Sequence, residues 1–201
     1  MGTEEPDDLT MLSSWRDGDQ ASGKLLFKKY FDPLYRFFSS KCAEPDEMVQ
    51  STFFAMVKAK DQFGGRSSFR TYIFTIARHE LYRHLRTLKR DRTFDPELSS
   101  IADMGTSIGG RMARNEDHRR LQEALRQLPV EQQTLLELHY WEDMDAPALA
   151  EVFEVAPGAI RTRLTRARAA LRDVMTKQAS APADALASVE ALETWARAVA
   201  R

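Results

Sequence analysis

A single cysteine, Cys42, stands in the 201 residues, so no internal disulfide can form and a reducing, cytoplasmic compartment is expected. No apolar run comes near the ~18 residues of a membrane span. Nor does a basic start lead into an apolar segment, so neither membrane insertion nor secretion is expected. Phosphate-binding glycine loops and dinucleotide fingerprints are missing, which removes the common nucleotide-dependent enzymes. His79-Glu80 followed by His84 comes nearest to a metal motif. Histidines five apart, however, lie about 140° apart around a helix and cannot share a face. His118 and His139 have no ligand-like neighbours, and the scattered Asp and Glu read as solvated faces and caps. No catalytic residue, no metal and no cofactor is therefore expected.

Neither sign of charge dominates: 29 Lys and Arg face 30 Asp and Glu, for a net charge of -1. The charges are segregated instead. Arg66 to Arg92 holds eight bases against Glu80 and Asp91, while the first ten residues hold four acids and no base. Runs of alternating apolar and polar residues are also missing, and helical periodicity fills the chain, so the fold class is all-α, with two small helical domains.

A first long helix is expected through Lys24 to Tyr30, continuing past Pro33 to Phe38, and a second from about Pro45 to Ala59. After the Gly64-Gly65 break, a third runs from about Phe69 to Lys89. From Asp91 the periodicity fails through Asp95-Pro96 and Gly105 to Gly110, which reads as a flexible linker over 91–115. The first domain is thus 1–90 and a four-helix module occupies 116–177, followed by a C-terminal helical extension over 178–201.

Within that module, Pro157 to Met175 carries five arginines and one acid. Ile160, Leu164, Ala167, Leu171 and Val174 form an apolar stripe flanked by Arg161, Arg168 and Arg172 on one side and Arg163 and Arg166 on the other. The opposite face is small: Thr162, Thr165 and Ala169. A helix of this kind can enter a DNA major groove while its arginines reach both backbones, or it can be a solvated basic face. The preceding short helix, Ala146 to Val152, is joined to it by Phe153 to Ala156, and Pro157 suits a first helical turn, so the pair reads as a helix-turn-helix. Upstream, Leu121, Leu125, Leu128, Leu135, Leu136 and Leu138 supply its core.

The third helix of the first domain gathers Phe69, Ile73, Phe74, Ile76, Ala77, Leu81 and Leu85 on one face. Thr71, Tyr72, Thr75, Arg78, His79, Tyr82, Arg83 and Arg86 are left on the other. Bases interleaved with aromatic rings suit unpaired nucleotides, stacked on Tyr72 or Tyr82 and held by arginines. Equally, the tyrosines can pack against a neighbouring helix.

The order of these residues resembles the bacterial RNA polymerase sigma factors, in particular the compact extracytoplasmic-function (ECF) type of the sigma-70 family. Glu44 to Phe53 is similar to the helix with which the family binds core polymerase, and Phe69 to Arg78 to its promoter-melting helix. Leu128 to Gln133 and Ile160 to Arg168 resemble the start and the recognition helix of sigma domain four. The resemblance implies that domain two clamps the polymerase β′ subunit and opens the minus-ten element, and that domain four reads the minus-thirty-five duplex beside the β flap. Asp46, Glu47 and Gln50 become candidates for the polymerase surface. Phe54 joins them either as an exposed anchor or as a ring folded under a neighbouring helix. Phe63, Arg66, Ser67, Ser68 and Arg70 would join Tyr72, Thr75, Arg78, His79, Tyr82, Arg83 and Arg86 at the minus-ten DNA. Pro157, Gly158, Arg161, Thr162, Arg163, Thr165, Arg166 and Arg168 would meet the minus-thirty-five duplex.

Three departures from the family pattern stand out. Ser51 replaces a usual Glu, a charge that phosphorylation of Ser51 or Thr52 would restore. His79 and Arg83 replace Asn and Asp in the melting helix, and Glu154 replaces the glycine of the helix-turn-helix turn. Beyond domain four, Leu186, Val189, Leu192, Trp195 and Val199 are spaced as one helical face, which either regulates the chain by docking on a sigma domain or extends the domain-four core. An anti-sigma factor is a further candidate partner. Two other functions fit part of the pattern. A stand-alone helix-turn-helix regulator leaves the acidic and Arg/Tyr helices unexplained. A polymerase-binding sigma mimic or anti-sigma antagonist leaves the arginine helix unexplained.

Overall fold

The computed structural model describes residues 7–88, 94–105 and 116–178, and the C-terminal stripe from Leu186 to Val199 lies outside them. Among the described residues every regular element is helical, with one isolated bridge between Ser100 and Pro129. Helix α1, Asp8–Arg16, was not expected from the pattern. Asp7 starts it, its carboxylate accepting from the backbone N–H groups of Leu9 and Thr10 at 2.9 and 3.1 Å. Gly18, at φ +107, turns the chain into α2, Gln20–Ser39, which Asp19 caps. Helix α3, Pro45–Ala59, has Pro45 in its first turn followed by Asp46 and Glu47, which complement the helix dipole. A 3-10 turn, Lys60–Gln62, leads to α4, Phe69–Leu88.

Met11, Leu12 and Trp15 bury α1 against α2. The approach is close: a β-carbon on Gly23 would meet the Trp15 indole at 2.7 to 2.8 Å. Replacing a helical glycine by alanine ordinarily stabilises a helix by up to ~1 kcal/mol. Here the ring must move, and Trp15 is held edge-on by Phe27 at 5.4 Å. Overpacking of this kind costs about 1–3 kcal/mol, so Gly23→Ala is expected to lower the melting temperature in a thermal scan; a rise would show that the indole yields freely.

The second module holds α5, Glu116–Gln127, α6, Val130–Tyr140, α7, Ala146–Phe153, and α8, Pro157–Gln178. All six leucines expected in its core are buried. Asp145 caps α7 by accepting from Ala148 N–H at 2.9 Å, and Glu154 ends it in the left-handed region at φ +57. The segment read as a flexible linker is pinned over 94–105. Val130 N–H donates to the Ser99 carbonyl at 2.9 Å, Glu131 N–H to that of Pro96 at 3.0 Å, and Ala102 N–H to that of Arg126 at 3.0 Å. Ile101 is wholly buried beside them.

The modules also pack on each other, with α7 lying against α4, so one apolar core runs through both.

Candidate nucleic-acid interface

Asp46, Glu47, Gln50 and Phe54 lie exposed along α3, at positions one helical turn or less apart. Phe54 is 62 % exposed, with the Lys58 ammonium 4.2 Å from its ring centroid, so the ring is not folded under a neighbour. Thr52 is fully buried and donates its hydroxyl to the Met48 carbonyl at 2.8 Å. Ser51 is half-buried.

The loop before α4 divides its expected residues between surface and core. Arg66 and Ser68 are exposed and Ser67 half-buried, with Gly65 at φ +70 allowing the turn. Ser68 caps α4, its hydroxyl accepting from Thr71 N–H at 3.0 Å. Phe63 is buried rather than presented to a base. Tyr72 stacks on it at 4.5 Å and donates its hydroxyl to the Ala59 carbonyl at 2.9 Å. Burial raises the Tyr72 phenol above its ordinary range.

Along α4, the face read as open is only partly so. Thr71, Arg78 and Tyr82 are buried, which corrects their placement on an exposed face. Phe94 packs on Tyr82, Arg78 stacks over Tyr82 at 4.8 Å and over Phe153 at 5.1 Å, and α7 covers the helix. His79, Arg83 and Arg86 stay exposed, and Arg70 and Thr75 are half-buried. Arg83 pairs with Glu80 one turn back.

Helix α8 splits its arginines in the same way. Pro157, Gly158, Arg161, Thr162, Thr165 and Arg166 are exposed on its outer side. Arg163 pairs instead with Glu131 and lies 3.7 Å from Glu97 of the pinned segment. Arg168 donates to the Tyr140 hydroxyl at 2.7 Å and meets His139 Nε2 at 3.2 Å. An open cleft beside Arg163 is lined by Glu97, Glu131, Gln132, Leu135, Arg163 and Arg166.

Sequence reasoning missed the charged groups between the modules. Lys41 and Glu137 pair there with side chains 0 % and 2 % exposed. Glu142 sits between Arg70, which pairs with it, and Arg36 at 3.5 Å. Burial raises the Glu142 carboxyl, against the downward pull of the Arg70 and Arg36 guanidiniums. Glu154 bridges Arg78 at 3.3 Å and His79 at 3.1 Å, and its carboxyl is lowered, first by the hydrogen bond from His79. Cys42 is buried and its thiol is pushed up to about 12. Among the described residues no cluster of His, Cys, Asp and Glu is placed to hold a metal, and no helix is long and apolar enough to cross a membrane.

Residues 26–91 match the model of sigma-70 region 2, and residues 118–171 that of sigma-70 region 4. The chain is 26 % identical over 177 residues to the RNA polymerase sigma-H factor of Pseudomonas aeruginosa, covering 82 % of this chain and 91 % of that one. To the ECF RNA polymerase sigma-E factor of Haemophilus influenzae it is 23 % identical over 176 residues, covering 82 % and 93 %. Among solved structures it is similar to CnrH in complex with the cytosolic domain of CnrY, with a TM-score of 0.64, 22 % identity and coverage of 86 % and 99 %. The sigma factor RpoE of Bartonella quintana, solved with the anti-sigma factor NepR, gives a TM-score of 0.60 at 21 % identity, with coverage of 76 % and 96 %.

Proposed function

The chain belongs to the sigma-70 family of RNA polymerase sigma factors, in its ECF branch, and from that premise we propose a division of labour among its surfaces. As a sigma factor it directs promoter recognition and transcription initiation. Domain two binds core polymerase through Asp46, Glu47, Gln50 and Phe54 and meets the β′ clamp, while domain four sits beside the β flap. Arg66, Ser67, Arg70, Tyr72, Thr75, His79, Arg83 and Arg86 handle the minus-ten strand. Arg161, Thr162, Thr165 and Arg166, with the α8 N-terminus at Pro157 and Gly158, read the minus-thirty-five duplex. The chain itself catalyses no reaction, acts in the cytoplasm and has an anti-sigma protein as a second partner.

The observation carrying this reading is the exposure, in one chain, of a polar and aromatic strip on α3 and of an arginine-threonine face on α8. The strip suits a protein partner, with an aromatic anchor among polar neighbours. The arginine face suits a duplex, where phosphate contacts position the helix and base-edge contacts specify the sequence. A stand-alone regulator needs only the second surface and a sigma mimic only the first. Run-off transcription with core polymerase over genomic fragments tests the reading. Discrete, chain-dependent start sites are expected, whereas a chain that binds core yet directs no start would leave only the mimic.

A further inference from the structure

Helix α1 lies ahead of residues 26–91, the stretch that matches sigma-70 region 2, yet its last residue, the half-buried Arg16, reaches a turn 44 residues further along the chain. Arg16 Nε donates to the Lys60 carbonyl at 2.8 Å. Its Nη2 donates to the same carbonyl and to that of Phe63, the latter at 2.6 Å. Both acceptors belong to the end of the 3-10 turn, where carbonyls run out of partners along their own helix. The rigid fork of a guanidinium can hold two such oxygens at a fixed spacing, which the point charge of an ammonium cannot.

Other contacts hold the same turn. Tyr72 donates to the Ala59 carbonyl at 2.9 Å and stacks on Phe63, Phe63 meets Phe69 edge-on at 6.3 Å, and the Lys60 ammonium lies 5.6 Å from the Trp15 ring centroid. Residues 59–63 are thus fixed from α1 and from α4. Gly64 to Ser68, by contrast, turn outward: only Ser67 is half-buried, and a β-carbon on Gly64 or Gly65 would meet nothing within 4 Å. A loop so open on its outside can be positioned only from its ends. One end is the Ser68 cap of α4, and the other is the turn that Arg16 holds. Because these bonds go to neutral carbonyls, they leave the cation's charge unneutralised, and it opposes the rise that burial imposes on the Tyr72 phenol.

We infer that Arg16 is a positioning residue for the minus-ten loop: by bridging the Lys60 and Phe63 carbonyls it fixes the base of Gly64 to Ser68, so that the opened strand meets a loop already in shape. The inference rests on the sigma reading for the identity of the strand, while the ordering of the loop does not depend on it. Without the bridge, the loop must be ordered as the strand binds, and that ordering lowers the affinity.

The test compares the full parent chain with Arg16→Ala and Arg16→Lys. In the free chain, amide hydrogen exchange over residues 61–68 should quicken about tenfold in Arg16→Ala, with exchange in α4 unchanged. Bound to core polymerase, Arg16→Ala should hold a promoter fragment, mapped by run-off transcription and pre-opened by mismatches across its minus-ten element, about tenfold more weakly than the parent does. Affinities for core and for the minus-thirty-five duplex should match the parent's. Arg16→Lys keeps the charge without the fork, and should stay several-fold weaker than the parent on the opened fragment. Parent-like exchange of the loop in Arg16→Ala overturns the inference, as does a parent-like affinity for the opened fragment. An equal fall in all three affinities also overturns it, since that marks general destabilisation. So does full recovery in Arg16→Lys, which would make the charge responsible and not the bridge. Should Arg16→Ala lose helical content by circular dichroism, Arg16→Lys decides alone on the same measurements. Failure of the sigma reading would appear separately, as a parent chain that directs no start in run-off transcription while the difference in exchange persists.

Discussion

Phe54→Ala is expected to weaken binding to core polymerase roughly thirtyfold, about 2 kcal/mol, and to leave the melting temperature unchanged. The two halves of this expectation come from one observation. A ring that is 62 % exposed contributes little to the fold, so its truncation opens no cavity. The same exposure leaves a large apolar surface for a partner, and the Lys58 ammonium 4.2 Å from its centroid gives the ring a fixed neighbour before binding. Asp46, Glu47 and Gln50 lie along the same helix on its N-terminal side as a polar rim, where single charges affect the association rate and its salt dependence more than the final affinity. Competition between labelled parent and variant for core enzyme checks the prediction. Equal affinities would move the polymerase contact off α3.

Why α3 was legible and α1 was not is a matter of how much apolar pattern each carries. The 15 residues of α3 and the 20 of α2 and of α4 repeat their inward positions over several turns, and the expected bounds agree with the helices to within a few residues. Helix α1 has nine residues and buries three, Met11, Leu12 and Trp15, which is too short a sample to show a period. The pinned segment at 94–105 is held largely by backbone hydrogen bonds to the α5–α6 corner, which side-chain identity does not encode. Lys41, Glu137 and Glu142 escaped notice for the opposite reason. Charges are assigned to the surface by default, and only the docking of one module on the other makes them interior. The same docking explains the misplacement of Arg78 and Tyr82: their face of α4 is outward within the first module and becomes inward once α7 lies on it. His79 and Glu154 were visible as departures one at a time, whereas their pairing needs three dimensions.

Four of the five arginines of α8 should separate into two classes on substitution. Arg161→Ala and Arg166→Ala are each expected to weaken minus-thirty-five duplex binding by the assembled polymerase by about 1–3 kcal/mol where they meet base edges, and the double variant by a hundredfold or more. Both side chains are exposed, so thermal stability should hold. Arg163→Ala should do the reverse. Its guanidinium pairs with Glu131, whose side chain is 10 % exposed, and faces Glu97 at 3.7 Å; its removal leaves Glu131 without that cation and takes one ionic contact from the pinned segment. A charge left short of its partner in a half-buried site costs about 1–3 kcal/mol, so the melting temperature should fall. Arg168, tied to Tyr140 and His139, belongs with Arg163. Salt titration of duplex binding adds an independent measure: losing a phosphate contact lowers the slope of log K against log salt by about 0.9 per contact. Arg161→Ala or Arg166→Ala should lower that slope if it contacts phosphate, and Arg163→Ala should leave it alone. If Arg163→Ala instead flattens the salt dependence at unchanged stability, the internal pairing gives way on DNA, and α8 spends the same guanidinium twice.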